Sequence, residues 1–250
     1  METPLPLLLL FWLIAFAAYF IRGISGFGSG LIAIPLLVQF LPFKTAIPLM
    51  LLLDFTASVV LSRHTRGQAA TEELKRLLPC SAVGVAAGAY LLVTLPKGWL
   101  LVGLGAFVLL FGLRNILVLA GTAPISSLWA MPAGLLGGSV GAVFGTGGPP
   151  YAIYLGHRIH DKSVLRATFS VLFMIEGGLR IGAFFISGLL LNLEVWLLWL
   201  VGTSALGLGL WRGNKMHLAI SNRQMVQLIG ALLVLSGGSL LIKGVAYLVN

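Results

Sequence analysis

Apolar runs of about 20 residues, the length a bilayer core demands, follow one another along almost the whole chain with linkers of only a few residues. In lipid a backbone N–H or C=O cannot go unsatisfied, so such runs must be helices or fragments of helices. Composition closes off a soluble fold. Only 9% of the 250 residues are charged and 58% are hydrophobic, whereas a water-facing domain carries about 25% charged residues. The chain is therefore expected to be an all-α integral membrane protein with no soluble domain. Its expected place is a cell membrane, a bacterial inner membrane, which it crosses several times. The N-terminal run lacks a basic leader and is too long for a signal peptide, so it reads as a retained first span.

Ten apolar elements are expected, at about 5–22, 26–41, 45–62, 77–95, 98–119, 128–144, 146–156, 165–188, 193–211 and 224–248. About eight have the length of a full span; those at 26–41 and 146–156 are short. The net charge of +9 does not describe a nucleic-acid surface, because most cations fall in short loops beside apolar runs. Arg63, Arg66, Lys75 and Arg76 share one loop, Arg158, Lys162 and Arg166 a second, and Arg212, Lys215 and Arg223 a third. The other connections hold Lys44, Lys97 or nothing charged. If all ten elements cross, every basic loop lands inside and both termini lie outside. If the two short elements are re-entrant, at least one basic loop faces outward, so the positive-inside rule favours ten crossings, some of them short.

An internal repeat runs through the chain. GFGSGLIAIPL at 26–36 aligns with GTGGPPYAIYL at 145–155, sharing Gly26/Gly145, Gly28/Gly147, Ala33/Ala152, Ile34/Ile153 and Leu36/Leu155. Further on, Lys44-Thr45 matches Lys162-Ser163, Gly84 matches Gly202, and Gly105-Ala106 matches Gly230-Ala231. Residues 1–122 and 123–250 then form two halves of five elements each. An odd number forces the second half to enter the membrane in the opposite sense, the inverted-repeat plan of many secondary transporters. Gly84 and Gly88 also suit close helix packing.

The motifs GISGFGSG (23–30) and FGTGGPP (144–150) interrupt apolar sequence. Glycine tolerates positive φ, while Pro149 and Pro150 lack amide donors and oppose helix continuation. A helix broken there starts again with free N–H groups and a positive dipole end, which together form an anion site without a charged side chain. The expected substrate-binding set is Ser25, Gly26, Gly28, Ser29 and Gly30 from the first motif and Gly145, Thr146, Gly147 and Gly148 from the second. The competing reading is that these glycines only let helices pack closely.

At these motifs the chain resembles the sulfite exporter TauE/SafE family of membrane permeases. The resemblance rests on Gly26-Phe27-Gly28-Ser29-Gly30 with Pro35-Leu36-Leu37, on Phe144-Gly145-Thr146-Gly147-Gly148-Pro149-Pro150 with Tyr154-Leu155, and on Arg166-Ala167-Thr168. It covers essentially the whole chain and implies transport of small anions, typically sulfite, sulfonates and other organosulfur or carboxylate compounds. Ser29 stands where a third consecutive glycine is common, and the second motif carries Pro-Pro.

Ionisable groups inside spans are functional candidates. Glu176 and Arg180 sit at i, i+4 in the favourable order for an intrahelical pair, and the planar guanidinium of Arg180 suits a sulfonate or carboxylate. The alternative is a self-neutralised pair that merely lets the helix insert. Asp54 has no cation near it in sequence and must find water, a distant arginine or a proton. Asp54 and Glu176 are thus proton-coupling candidates. Arg114 is the fourth charge within a span; Arg22 and Lys243, near span ends, are expected to snorkel. His64, His157, His160 and His217 fall in expected loops, and most of the six tryptophans lie near span ends. Cys80 stands alone, so thiols cannot build a disulfide or a metal cluster.

The expected function is a secondary transporter of a small anion such as sulfite, an organosulfonate or a carboxylate, coupled to a proton or other ion. A passive anion channel is the alternative. No Walker motif, HExxH motif or mid-span histidine is present, which argues against an ATPase or an intramembrane enzyme. No cofactor or metal is expected, and no nucleic-acid partner.

Overall fold

The computed structural model describes residues 5–64, 67–117, 125–216 and 222–249. Arg66, His217 and the expected division near 122/123 lie outside them, as do the side chains of His64 and Arg223. Among the described residues there are ten α-helices: α1 (Leu5–Ser25), α2 (Ser29–Leu37), α3 (Phe43–His64), α4 (Thr71–Thr94), α5 (Lys97–Ile116), α6 (Ala130–Phe144), α7 (Gly148–Arg158), α8 (Lys162–Ile186), α9 (Leu193–Met216) and α10 (Asn222–Val249). They follow the ten apolar runs. Seven are long and apolar enough to cross a membrane, α6 together with the 3-10 turn Ser127–Trp129 that leads into it. α10 has 28 residues, whereas α2 has nine and α7 eleven. At about 1.5 Å per residue, α2 and α7 reach only about half of a ~30 Å hydrocarbon core.

The largest boundary difference is at α4, which begins at Thr71 rather than near residue 77. Its polar first turn carries Glu72 and Glu73, and acids there complement the positive end of the helix dipole. Lys75 and Arg76 then pair with them at i, i+3. His157, placed by sequence in a loop, belongs to the last turn of α7, with its Nδ1 2.6 Å from the Ile153 carbonyl.

Each short helix pairs with its predecessor as a helical hairpin. Leu7 and Leu8, at the start of α1, border one small space together with Phe40, Leu41 and Glu194. The chain has therefore returned to the start of α1 by residue 40. Likewise Arg158, at the end of α7, donates to the carbonyl of Ile125, just before α6. The two hairpins stand on opposite ends of the bundle. The base of the first lies with Glu194 at the start of α9. The base of the second lies with Glu73 at the start of α4, which Arg158 reaches at 2.9 Å.

Small residues allow the helices to approach. α4 and α6 run parallel: Gly134 packs against Leu77 and Cys80, and Gly88 against Ser139 and Ala142. α1 and α9 are parallel too, with Phe11 at Gly202 and Gly23 at Gly213. Without a hydrophobic driving force in lipid, such close van der Waals packing is what holds helices together. Exchanging α1–α5 with α6–α10 in order preserves these pairings. α1 on α9 answers α6 on α4, and α3 on α9 answers α8 on α4. α3 on α8 and α5 on α10 answer themselves.

Candidate functional site

The turns of the two hairpins meet inside the bundle. Gly28 (φ 96°) closes the first turn and Gly145 (φ 63°) opens the second, both in the left-handed region that glycine enters at little cost. At Gly30 the backbones approach so closely that a Cβ would strike the carbonyl oxygen of Gly145. The small side of residue 30 is thus a condition for the two turns to touch.

Between the turns lies a cavity of about 20 Å³, space for about one water. The N-terminus of α2 borders it with Gly28, Ser29, Gly30 and Leu31, and that of α7 with Thr146, Gly147 and Gly148. The first four N–H groups of a helix have no partner within the helix, so both turns aim donors at one space. Asp54, Arg22 and Arg180 add charge, and Phe27 and Phe173 add rings.

Arg22 is the residue that sequence reading placed wrongly. Its side chain does not snorkel; it is 2% exposed. Its Nη1 donates to Asp54 Oδ1 at 2.5 Å and its Nη2 to Ser58 Oγ at 2.6 Å. Asp54 Oδ1 also accepts from the Tyr19 hydroxyl at 2.8 Å and from Ser29 Oγ at 2.6 Å. Asp54 thus finds the distant arginine it required, and one carboxylate oxygen joins α1, α2 and α3. The overlooked signal was position: Arg22 stands directly before the first glycine motif, where α1 runs on to Ser25 at the turn inside the bundle instead of ending at a membrane surface. Lys243, by contrast, is half-buried and donates to the Gln39 carbonyl.

Glu176 and Arg180 form the expected i, i+4 pair, with Nε 3.5 Å from Oε1. The contact is looser than the first pair. Neither oxygen of Glu176 has a donor at full hydrogen-bond geometry, although the residue is fully buried and the Tyr151 hydroxyl, bonded to Ser81, faces it; Arg180 Nε and Thr146 Oγ1 are also without partners. Arg180 anchors instead through Nη1 to the Gly141 carbonyl at 2.9 Å. Glu176 lies against Gly141, behind the cavity.

Two residues of the expected set face elsewhere. The Ser25 hydroxyl donates to the carbonyls of Ile21 and Phe27, and Gly26 packs on the side chain of Arg166; neither borders the cavity. Their part is to shape the turn. Arg114, at the end of α5, lies over the Phe111 ring and away from the site.

Comparison with known proteins gives this arrangement a context. The family model for the sulfite exporter TauE/SafE matches residues 11–240. A probable inner membrane transporter protein, TsaS of Comamonas testosteroni, is 28% identical over 193 residues, covering 77% of this chain and 81% of that one. No solved structure matches the chain. With a family model spanning both hairpins and every residue at the cavity, the chain belongs to the sulfite exporter TauE/SafE family of multi-pass membrane transporters.

Proposed function

We propose that the protein is a secondary transporter that carries a small oxyanion (sulfite, an organosulfonate or a carboxylate) across a bacterial inner membrane. The observation that carries this reading is the convergence of two helix N-termini and two guanidinium groups on one buried cavity. Free amides and the dipole ends of α2 and α7 favour negative charge there, and Arg180 offers a planar fork of donors matched to a sulfonate or carboxylate.

The residues 1–122 and 123–250 are inferred to be inverted repeats, a reading supported by the opposed hairpins and the exchangeable helix pairings. The bundle end that gathers Arg63, Lys75, Arg76, Arg158, Lys162, Arg212 and Lys215 is assigned to the cytoplasm. A cavity with space for about one water favours a carrier over an open channel.

Charge balance supplies the coupling. With Asp54 and Glu176 ionised, the two arginines are already neutralised, so an arriving anion adds net negative charge to a dry site. A proton on Glu176 frees Arg180 to bind the anion, and anion and proton move together. Flux in proteoliposomes tests the reading with sulfite, methanesulfonate and acetate, under imposed pH gradients and voltages. Saturable, proton-gradient-driven accumulation of at least one anion is expected. Absence of flux for all three under every gradient would overturn it.

A further inference from the structure

One face of α8 links the basic end of the bundle to the cavity. Arg166, Phe169, Phe173, Glu176 and Arg180 recur at three- and four-residue steps, which places them on a single helical stripe. Phe173 and Arg180 border the cavity. Arg166 is the fifth residue of α8, near the basic end. Between them Phe169 stacks on Phe27 of the first hairpin turn, ring centroids 4.9 Å apart, and on Phe173 at 5.8 Å. Phe27 and Phe173 both border the cavity, and Phe169 is 1% exposed, so three rings lie between Arg166 and the site.

Arg166 is a cation without a counter-ion. Its Nε is buried and has no hydrogen-bond partner, and no carboxylate among the described residues pairs with it. Its stem is held against Gly26, where a Cβ would come within 2.9 Å of Arg166 Cγ. A partly desolvated, unpaired guanidinium is unfavourable unless an anion visits it. A fixed cation at the mouth of a low-dielectric passage also concentrates anions there.

We propose that Arg166 forms a second, outer anion station for oxyanions such as sulfonates, and that Phe27, Phe169 and Phe173 form the gate between it and the cavity. This rests on the anion site inferred above. An anion entering from the basic end binds first at Arg166, then passes when the first hairpin turn withdraws Phe27 from the stack.

The test reads labelling rates and needs no transport. In a Cys80→Ser background, Thr146→Cys places a thiol at the cavity. Vesicles with the basic end outward are treated with a sulfonate-bearing methanethiosulfonate and, separately, a trimethylammonium-bearing one of the same length. Arg166→Ala should lower the anionic-to-cationic rate ratio about tenfold, the size of one partly screened charge contact, and Arg166→Lys should restore most of it. Phe169→Ala should raise both rates together and leave the ratio intact. An unchanged ratio in Arg166→Ala overturns the station, and unchanged rates in Phe169→Ala overturn the gate. Because these rates are independent of flux, a failure here is distinct from a failure to find a transported anion.

Discussion

The two hairpins bring different chemistry to the same cavity. In the first, Arg22 and Asp54 come from different helices, and Asp54 Oδ1 collects donors from Tyr19, Arg22 and Ser29. In the second, Glu176 and Arg180 share one helix, stand 3.5 Å apart, and leave both carboxylate oxygens without donors. The helix starts differ as well. α2 opens with Ser29, Gly30 and Leu31, each carrying an amide N–H, while α7 opens with Gly148 followed by Pro149 and Pro150, which have none. The first half is a bonded frame and the second a loosely held pair. Under the proposed anion transport, the first supplies a fixed reference for the anion and the second a charge able to change partner as the substrate arrives.

The sharpest way to break this contrast is Arg22→Ala. Removing one partner of a buried ion pair leaves the other charge uncompensated, at a cost of about 3–5 kcal/mol, and here it also removes the bonds from α1 to Asp54 and Ser58 of α3, leaving that of Tyr19. The variant is expected to show a large fall in thermal midpoint in detergent and no flux. Arg180→Ala should abolish flux too, but with a markedly smaller fall in midpoint, since its own ties are one hydrogen bond to Gly141 and a long contact to Glu176. Equal falls for the two variants would remove the distinction between frame and movable pair.

A second comparison separates close approach from backbone shape at the turns. Gly30→Ala would drive a methyl into the Gly145 carbonyl, and overpacking of this kind costs about 1–3 kcal/mol. Gly28→Ala meets nothing within 4 Å but holds φ at 96°, a strain of about 1–2 kcal/mol. The two should therefore lower the thermal midpoint by similar amounts. Flux should suffer more in Gly30→Ala, because only that change pushes the two turns apart.

The sequence carried the membrane, the number of helices and the two glycine breaks because each is written in local terms: run length, hydropathy, and residues that end helices. The paired motifs also named most of the cavity border, from Gly28 and Ser29 to Gly147 and Gly148. What escaped was set by tertiary packing. Arg22 looked like a span-end cation, because nothing local shows that α1 ends at a turn buried in the bundle. Phe27, inside the first motif, and Phe173 carry no local sign of bordering a cavity until α8 is laid against the first turn. Ser25 and Gly26 share the motif with cavity residues, yet the turn rotates them to the other side. Adjacency in a motif does not fix direction, and only the fold supplies it.

The smallest expected change in stability is the most informative about coupling. Asp54→Asn replaces an oxygen that accepts three donors and unpairs Arg22, so it should cost several kcal/mol in the manner of any broken buried pair. Glu176→Gln touches a carboxylate with no donor on either oxygen, and Arg180 keeps its bond to Gly141. Its change in stability should be smaller than that of Asp54→Asn, because little hydrogen bonding is lost, although Arg180 is left without its counter-charge. Transport should nevertheless change character. With residue 176 unable to exchange a proton, an imposed pH gradient should no longer drive accumulation, while exchange of labelled for unlabelled anion continues. Flux measured in one proteoliposome preparation, with and without the gradient, decides the matter. Persistence of gradient-driven accumulation in E176Q would move the coupling proton away from Glu176, and a large loss of stability would show that the second pair is as much a part of the frame as the first.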